Sequence, residues 1–218
     1  MSLEVHGFSH VPSSIPRETL EVLRNTLFEE VIAGERCLLD HPAVREIAIK
    51  LKRELIESGH LPSTAVAIQA IAFDKTPATN WKVAWHQDLM FPFAKCVISD
   101  GFEIPSIKQG IDYARPPAGI LGELLAARLH LDDCDATIGP LRVSPGTHRL
   151  GILGTCDIPA QVADHGHVTC VAKTGEVLLM RPLILHASSQ ATEPKHRRIL
   201  HLVYHSGAPV PETWYRTI

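Results

Sequence analysis

The sequence predicts an α+β chain that is mainly β: a double-stranded β-helix, or jelly roll, with N-terminal helices packed on one sheet. Three observations predict it. Two amphipathic segments come first, eight short β-rich segments follow, and glycine and proline separate the eight. Helices gathered at one end of a run of strands belong to α+β architectures, where they cover one face of an antiparallel barrel or sandwich.

The first helix is expected over residues 17–33, where Leu20, Leu23, Leu27 and Val31 recur at three- and four-residue steps and Gly34 ends the pattern. The second is expected over residues 42–58, opened by Pro42, striped by Val44, Ile47, Leu51 and Leu55, and stopped by Gly59. The period then changes. Strands are expected over residues 65–73, 83–88, 125–132, 139–144, 167–172, 176–180, 183–188 and 197–205. Alternation along the last places Arg198, Leu200, Leu202 and Tyr204 beneath the helices, with Arg197, Ile199, His201, Val203 and His205 on the other face. Residues 89–124 hold no sustained period. So long a connection inside a compact domain is functional or mobile, so it is expected to be a substrate lid, the alternative being an unread helix and loop. The organisation is then one domain over residues 1–218, with a helical part at 1–62, a β core at 63–206 and a lid insertion at about 89–124.

Composition narrows the function classes. With 218 residues, 45% hydrophobic and 21% charged, the chain reads as one soluble folded domain. A net charge of −3 gives no electrostatic case for nucleic acid or an acidic membrane as partner. No apolar run reaches the ~18–20 residues that span a bilayer, so a cytoplasmic protein acting on a small molecule is expected. Cys37, Cys96, Cys134, Cys156 and Cys170 are odd in number and never closely spaced, which indicates neither a disulfide framework nor a zinc knuckle. The excess is in histidine, at 13 residues.

A His-x-Asp on a strand puts both side chains on one face, and a distant histidine completes a facial triad that suits non-haem iron(II). The pattern alone is weak, because this composition yields one or two by chance. The chain holds two, His86-Gln87-Asp88 and His130-Leu131-Asp132. Topology chooses between them. In a double-stranded β-helix the paired ligands sit on the second strand and the lone histidine on the seventh. His86, Asp88 and His186 occupy those strands, whereas His130 falls on the third. Arg197 opens the eighth strand, where its guanidinium can clamp a dicarboxylate beside the metal. Ser188 shares a face with His186 and is a second donor.

Several blocks carry a resemblance: Phe73-Asp74-Lys75-Thr76-Pro77, Asn80-Trp81-Lys82-Val83-Ala84-Trp85-His86-Gln87-Asp88, Arg128-Leu129-His130-Leu131-Asp132-Asp133, Gly139-Pro140-Leu141-Arg142-Val143-Ser144-Pro145-Gly146-Thr147-His148, and Gly175 through His186 to Arg197-Arg198. Together they resemble bacterial members of the phytanoyl-CoA dioxygenase family over roughly residues 65–205. One departure is Ile138, where many relatives carry asparagine; it is expected to affect the turn rather than the metal. The resemblance implies iron(II), with 2-oxoglutarate and O2 as co-substrates. It also implies oxidative decarboxylation to succinate and CO2 coupled to hydroxylation, since the Asp88 carboxylate is present where related halogenating enzymes lack one.

Strand parity adds Gln69 and Arg128 as cofactor-binding candidates, and His130, His201 and His205 as residues that share the cavity. Trp85 points away from the metal and reads as core packing. Lys75 is either near the mouth or a solvated loop lysine, while His148, Asp132 and Asp133 read as turn and strand-end structure. Two other classes stay open: a zinc hydrolase built on His165-Gly166-His167, and a non-catalytic cupin-like binding module.

Overall fold

The computed structural model describes residues 2–28 and 34–218. A one-turn helix, α1 (Leu3–His6), and strand β1 (Phe8–Val11) precede α2 (Arg17–Leu27), β2 (Gly34–Arg36) and α3 (Pro42–Glu57). Next come β3 (Val66–Lys75) and β4 (Val83–His86), then β5 (Phe91–Phe93), β6 (Glu103–Lys108), β7 (Ile111–Arg115) and α4 (Ala118–Gly122). β8 (Leu124–His130), β9 (Leu141–Val143), α5 (Ile158–His165) and β10 (Val168–Cys170) follow, and β11 (Val177–Met180), β12 (His186–Ser188) and β13 (Arg197–His205) complete the order.

The eight strands expected from sequence are β3, β4 and β8 to β13, with ends shifted by up to three residues. They form two antiparallel sheets, β11-β8-β13-β3 and β10-β9-β12-β4. Successive strands of the eight alternate between the two sheets, except that β9 and β10 share one, which is the jelly roll. Edge strands β1 and β2 widen the first sheet to six strands. Both are too short to show a period, so the sequence pattern missed them. Residues 89–124 are not irregular either. β5, β7 and β6 form a third antiparallel sheet, and Phe93 stacks on Trp214 at 4.8 Å. Pro92 and Pro105 interrupt its strands, and its register shifts between Glu103 and Ser106, which erases the alternation.

The first helix is shorter than its apolar stripe. Phe28 has left helical geometry (φ −133°, ψ 32°), so α2 stops at Leu27, and Val31 lies outside the described residues. Gly34 opens β2 instead of capping a helix. Leu20, Leu23 and Leu27 of α2 and Ile47, Leu51 and Leu55 of α3 pack on the outer face of the six-stranded sheet. Each such leucine contributes about 1.5–3 kcal/mol by leaving water. The sheet answers with Leu129, Leu200, Leu202 and Tyr204, and the Tyr204 hydroxyl donates to the Ala48 carbonyl at 3.0 Å. A second core fills one end of the gap between sheets, with Leu124, Ala126, Met180 and Val203 against Leu141 and Val143. The polar side chains collect at the other end.

A bulge in β3 sorts them. Val203 opposes Gln69 while Tyr204 opposes Ala67, so Ile68 is one residue too many. Ala67 and Ala70 therefore both pack under the helices, Ile68 enters the inner core, and Gln69, Ile71 and Phe73 face a cavity. No helix among the described residues is long and apolar enough to cross a membrane.

Candidate metal centre

His86 ends β4, Asp88 lies two residues beyond it, and His186 opens β12, where it pairs directly with His86. One nitrogen or oxygen from each lies within 4.8 Å of the others. Asp88 Oδ1 is 3.7 Å from His86 Nε2, and Oδ2 is 3.5 Å from His186 Nε2. Adjacent donors around an ion with bonds of about 2.1 Å stand roughly 3 Å apart, so a small closure seats a metal. Each imidazole is already oriented. His86 Nδ1 donates to the Ala84 carbonyl and His186 Nδ1 to the Ile184 carbonyl, both at 2.9 Å. A carbonyl only accepts, so these bonds fix the proton on Nδ1 and leave Nε2 with the lone pair that a metal would take.

Neighbouring side chains hold the two segments. Buried Gln87 donates to the carbonyls of Leu183 (2.7 Å) and Gly151 (2.8 Å) and accepts from Leu153 N–H at 2.9 Å. Thr147 Oγ1 accepts from Leu185 N–H at 2.9 Å, just before His186. The bend carrying Asp88 is thus tied to the approach to His186.

The electrostatics suit a cation. Burial pushes the Asp88 carboxyl up, but the His186 and His86 imidazoles outweigh it and hold it well below the usual carboxylate range. Burial likewise lowers His86, yet the hydrogen bond and charge of Asp88 more than reverse this and raise it. Both shifts mark an anion poised between two imidazoles.

The three groups open into a cavity of about 310 Å³ shared by Gln69, Arg128, Ser188, Arg197 and His201. Arg197 is 4% exposed; its Nη1 donates to the Gly139 carbonyl at 2.6 Å, and its Nε has no partner. Gly139 is left-handed (φ 67°), and a Cβ there would meet Ser189 O at 2.6 Å, so only glycine brings this carbonyl to Arg197. Ile138 beside it is buried. Arg128 Nη1 binds His201 Nδ1 at 3.1 Å, and its Nε is also unpartnered. Burial, then the charge of Arg197, lowers Arg128 to about 10.

Lys75 is neither solvated nor at the mouth. Its ammonium is buried and donates to the Ser189 carbonyl at 2.5 Å and to Ser188 Oγ at 3.2 Å. Burial and Arg197 lower it to about 8. The signal was available: β3 runs two residues further than its apolar part, and Lys75 shares parity with Gln69, Ile71 and Phe73. Arg36, Trp81 and Met90 also line the cavity. They carried no sequence signal, because they lie on a short edge strand and in loops.

Other histidines separate from the site. His130 is buried against the Glu176 carbonyl (3.3 Å), and His205 lies 3.6 Å from Glu123, so neither lines the cavity with His201. Trp85 is half-buried between Arg142 (5.3 Å) and His167 (5.9 Å) on the far face of its sheet, a cation-π stack in place of core packing. His165 binds its own helix through Gln161, and no metal-ligand cluster among the described residues includes His165 or His167. Asp132 forms a two-bond pair with Arg198, and Asp133 caps Thr174, as strand-end structure.

The buried histidines predict acid sensitivity. Burial, then the charge of Arg128, lowers both His130 and His201 to about 3. Below the unfolded value of about 6.5 the unfolded chain binds two protons that the folded one refuses, so stability falls as pH falls, by up to ~2.7 kcal/mol per pH unit. Above that value the raised His86 works the other way. Chemical denaturation of the metal-free protein is expected to show maximal stability near neutrality and a marked loss at pH 5.5. An unchanged midpoint between pH 7 and 5.5 would contradict this.

Fold and site together define a class: a jelly-roll protein with a two-histidine, one-carboxylate cluster that could hold a metal, set on paired strands. The chain belongs to the phytanoyl-CoA dioxygenase family, whose model matches residues 25–199. Among curated proteins none matches. Solved structures with the same fold include HygX from Streptomyces hygroscopicus with iron bound, at 16% identity and TM-score 0.66 over 98% of this chain and 87% of that one. The epimerase SnoN from nogalamycin biosynthesis, solved with Fe3+, α-ketoglutarate and nogalamycin RO, is similar at 17% and 0.68, over 93% and 80%. EctD from S. alaskensis, in its apoform, is similar at 17% and 0.65, over 96% and 79%.

Proposed function

We propose that the protein is a non-haem iron oxygenase that couples oxidative decarboxylation of 2-oxoglutarate to hydroxylation of a small-molecule substrate. The observation that carries this reading is one cavity holding both the His86, Asp88 and His186 cluster and the buried guanidinium of Arg197, whose Nε is unpartnered. Two imidazoles and one carboxylate leave open positions and suit iron(II). Iron bound there, with 2-oxoglutarate as electron source, supplies activation of O2.

The chain's own groups do the rest. Arg197, Ser188 and the Lys75 ammonium form a cationic seat for the distal carboxylate of 2-oxoglutarate. Gln69 and Arg128 donate to the same co-substrate nearer the metal. The Nδ1 bonds of His86 and His186 keep both rings from rotating as ligands exchange. Five free cysteines fit a reducing, cytoplasmic setting.

Anaerobic addition of 2-oxoglutarate to the iron(II)-loaded protein is expected to give a weak visible band, and admission of O2 to release succinate. Tight zinc binding with no succinate under reducing, iron-replete conditions would overturn the reading. We also assign the lid role to residues 89–124, since Met90 and Phe91 already wall the cavity. Proteolytic cleavage there is expected to slow when metal and 2-oxoglutarate are bound; identical cleavage in both states counts against it.

A further inference from the structure

We propose that the primary substrate is an organic anion with an apolar body, its acid group held by Arg36 with Lys108 beside it and its body lying along Trp81, Met90 and Phe91. This rests on the oxygenase reading of the same cavity.

The strand register places Arg36. In antiparallel sheets, residues directly opposed across strands share a face. Arg36 opposes Ile71, Ile71 opposes His201, and His201 opposes Arg128, so Arg36 stands on the cavity face. It lines the cavity yet is exposed, at the mouth. Arg197 opposes Lys75, four residues further along β3 than Ile71. At ~3.3 Å per residue that is about 13 Å along the strand. The five-carbon chain of 2-oxoglutarate does not bridge such a span while anchored to the metal and Arg197. Arg36 therefore needs a different anion.

Charge makes the same point. Lys108 comes from the inserted sheet and lies 5.0 Å over the Tyr113 ring, whose hydroxyl meets Cys37, the residue after Arg36, at 3.5 Å. Burial and the Arg36 charge both disfavour the Lys108 ammonium. Neither cation has an ion-pair partner among the described residues. Asp40 and Glu103 are committed elsewhere, to Arg216 at 2.6 Å and to Arg115, and Glu35 and Asp112 form no ion pair with either cation. Two like charges kept together repel, and an anion bound to Arg36 at the cavity mouth relieves both. Deeper in, the buried Nε of Arg128 is unpartnered as well, and among the described lining residues the single carboxylate of Asp88 faces the three guanidinium groups of Arg36, Arg128 and Arg197. The wall between is apolar and aromatic, which fits a carbon skeleton rather than a second polar group.

The test compares 3-phenylpropionate with its uncharged amide by calorimetry. The protein is saturated with Mn(II) and N-oxalylglycine, which fills the Arg197 seat. The acid is expected to bind roughly 10-fold or more tightly than the amide, a preference lost in Arg36→Gln and partly restored in Arg36→Lys. Equal affinity, no binding by either compound, or a preference that survives in Arg36→Gln overturns the proposal. Melting curves confirm that the variants fold. Repeating the comparison in metal-free Arg197→Gln protein separates the two readings. Failure of N-oxalylglycine to bind the metal-loaded protein strikes the oxygenase reading, while the Arg36-dependent preference is still read directly.

Discussion

Replacing Asp88 with alanine is expected to abolish the visible iron(II)–2-oxoglutarate band and to cut succinate release by more than about 100-fold. Losing a group that merely supports a metal ligand costs 10–100-fold, and Asp88 is proposed as a ligand itself. The carboxylate contacts both imidazoles, at 3.7 Å and 3.5 Å, so its removal also leaves two neutral rings with no charge between them. Asp88→Asn keeps the shape and removes the charge. In the metal-free protein it is expected to lower the His86 titration midpoint seen by NMR, because Asp88 is what raises it against burial. If Asp88→Ala retains the band and full succinate release, the metal does not sit on this cluster.

Arg197→Met is expected to weaken 2-oxoglutarate binding by roughly 30-fold or more, the cost of about 2–5 kcal/mol for truncating one partner of a buried charge pair. The same change is expected to leave the metal-free protein at least as stable as the parent. Arg197 is buried, carries no ion pair among the described residues, and has an unpartnered Nε. A buried charge of this kind costs folding energy, which a methionine of similar length relieves. Binding and stability should therefore move in opposite directions. Arg197→Lys keeps the charge and loses the fork, so it should recover only part of the affinity. Unchanged 2-oxoglutarate affinity in Arg197→Met would place the distal carboxylate elsewhere.

The site was legible in the sequence to the extent that it depends on strand order. His86, Asp88 and His186 are far apart in the chain, but eight β-rich segments gave each a place in the topology, and a jelly roll brings the second and seventh strands side by side. Parity correctly separated Leu200, Leu202 and Tyr204 from His201. What stayed hidden depends on short or bent elements. Arg36 sits on a strand of three residues, where no alternation can develop. Lys75 was lost because β3 turns polar before it ends. The inserted sheet was unreadable because proline and a register shift break its pattern. His130 and His205 had the right parity yet fall outside the cavity, since facing inward does not fix depth along a strand.

The bulge at Ile68 makes β3 behave like a message read in frame. Upstream of the extra residue, Ala67 belongs to the layer under the helices; downstream, Gln69, Ile71, Phe73 and Lys75 belong to the chemistry. Dropping that one residue closes the bulge and leaves the frame intact, because Ala67 still opposes Tyr204 and Gln69 still opposes Val203. Gln69, Ile71, Phe73 and Lys75 would keep their partners on β13 and stay on the cavity face, while Ala67, Ala70 and Ala72 would stay under the helices. The spare residue thus lets β3 lose one letter at the bulge with every letter of the cavity wall still in its place.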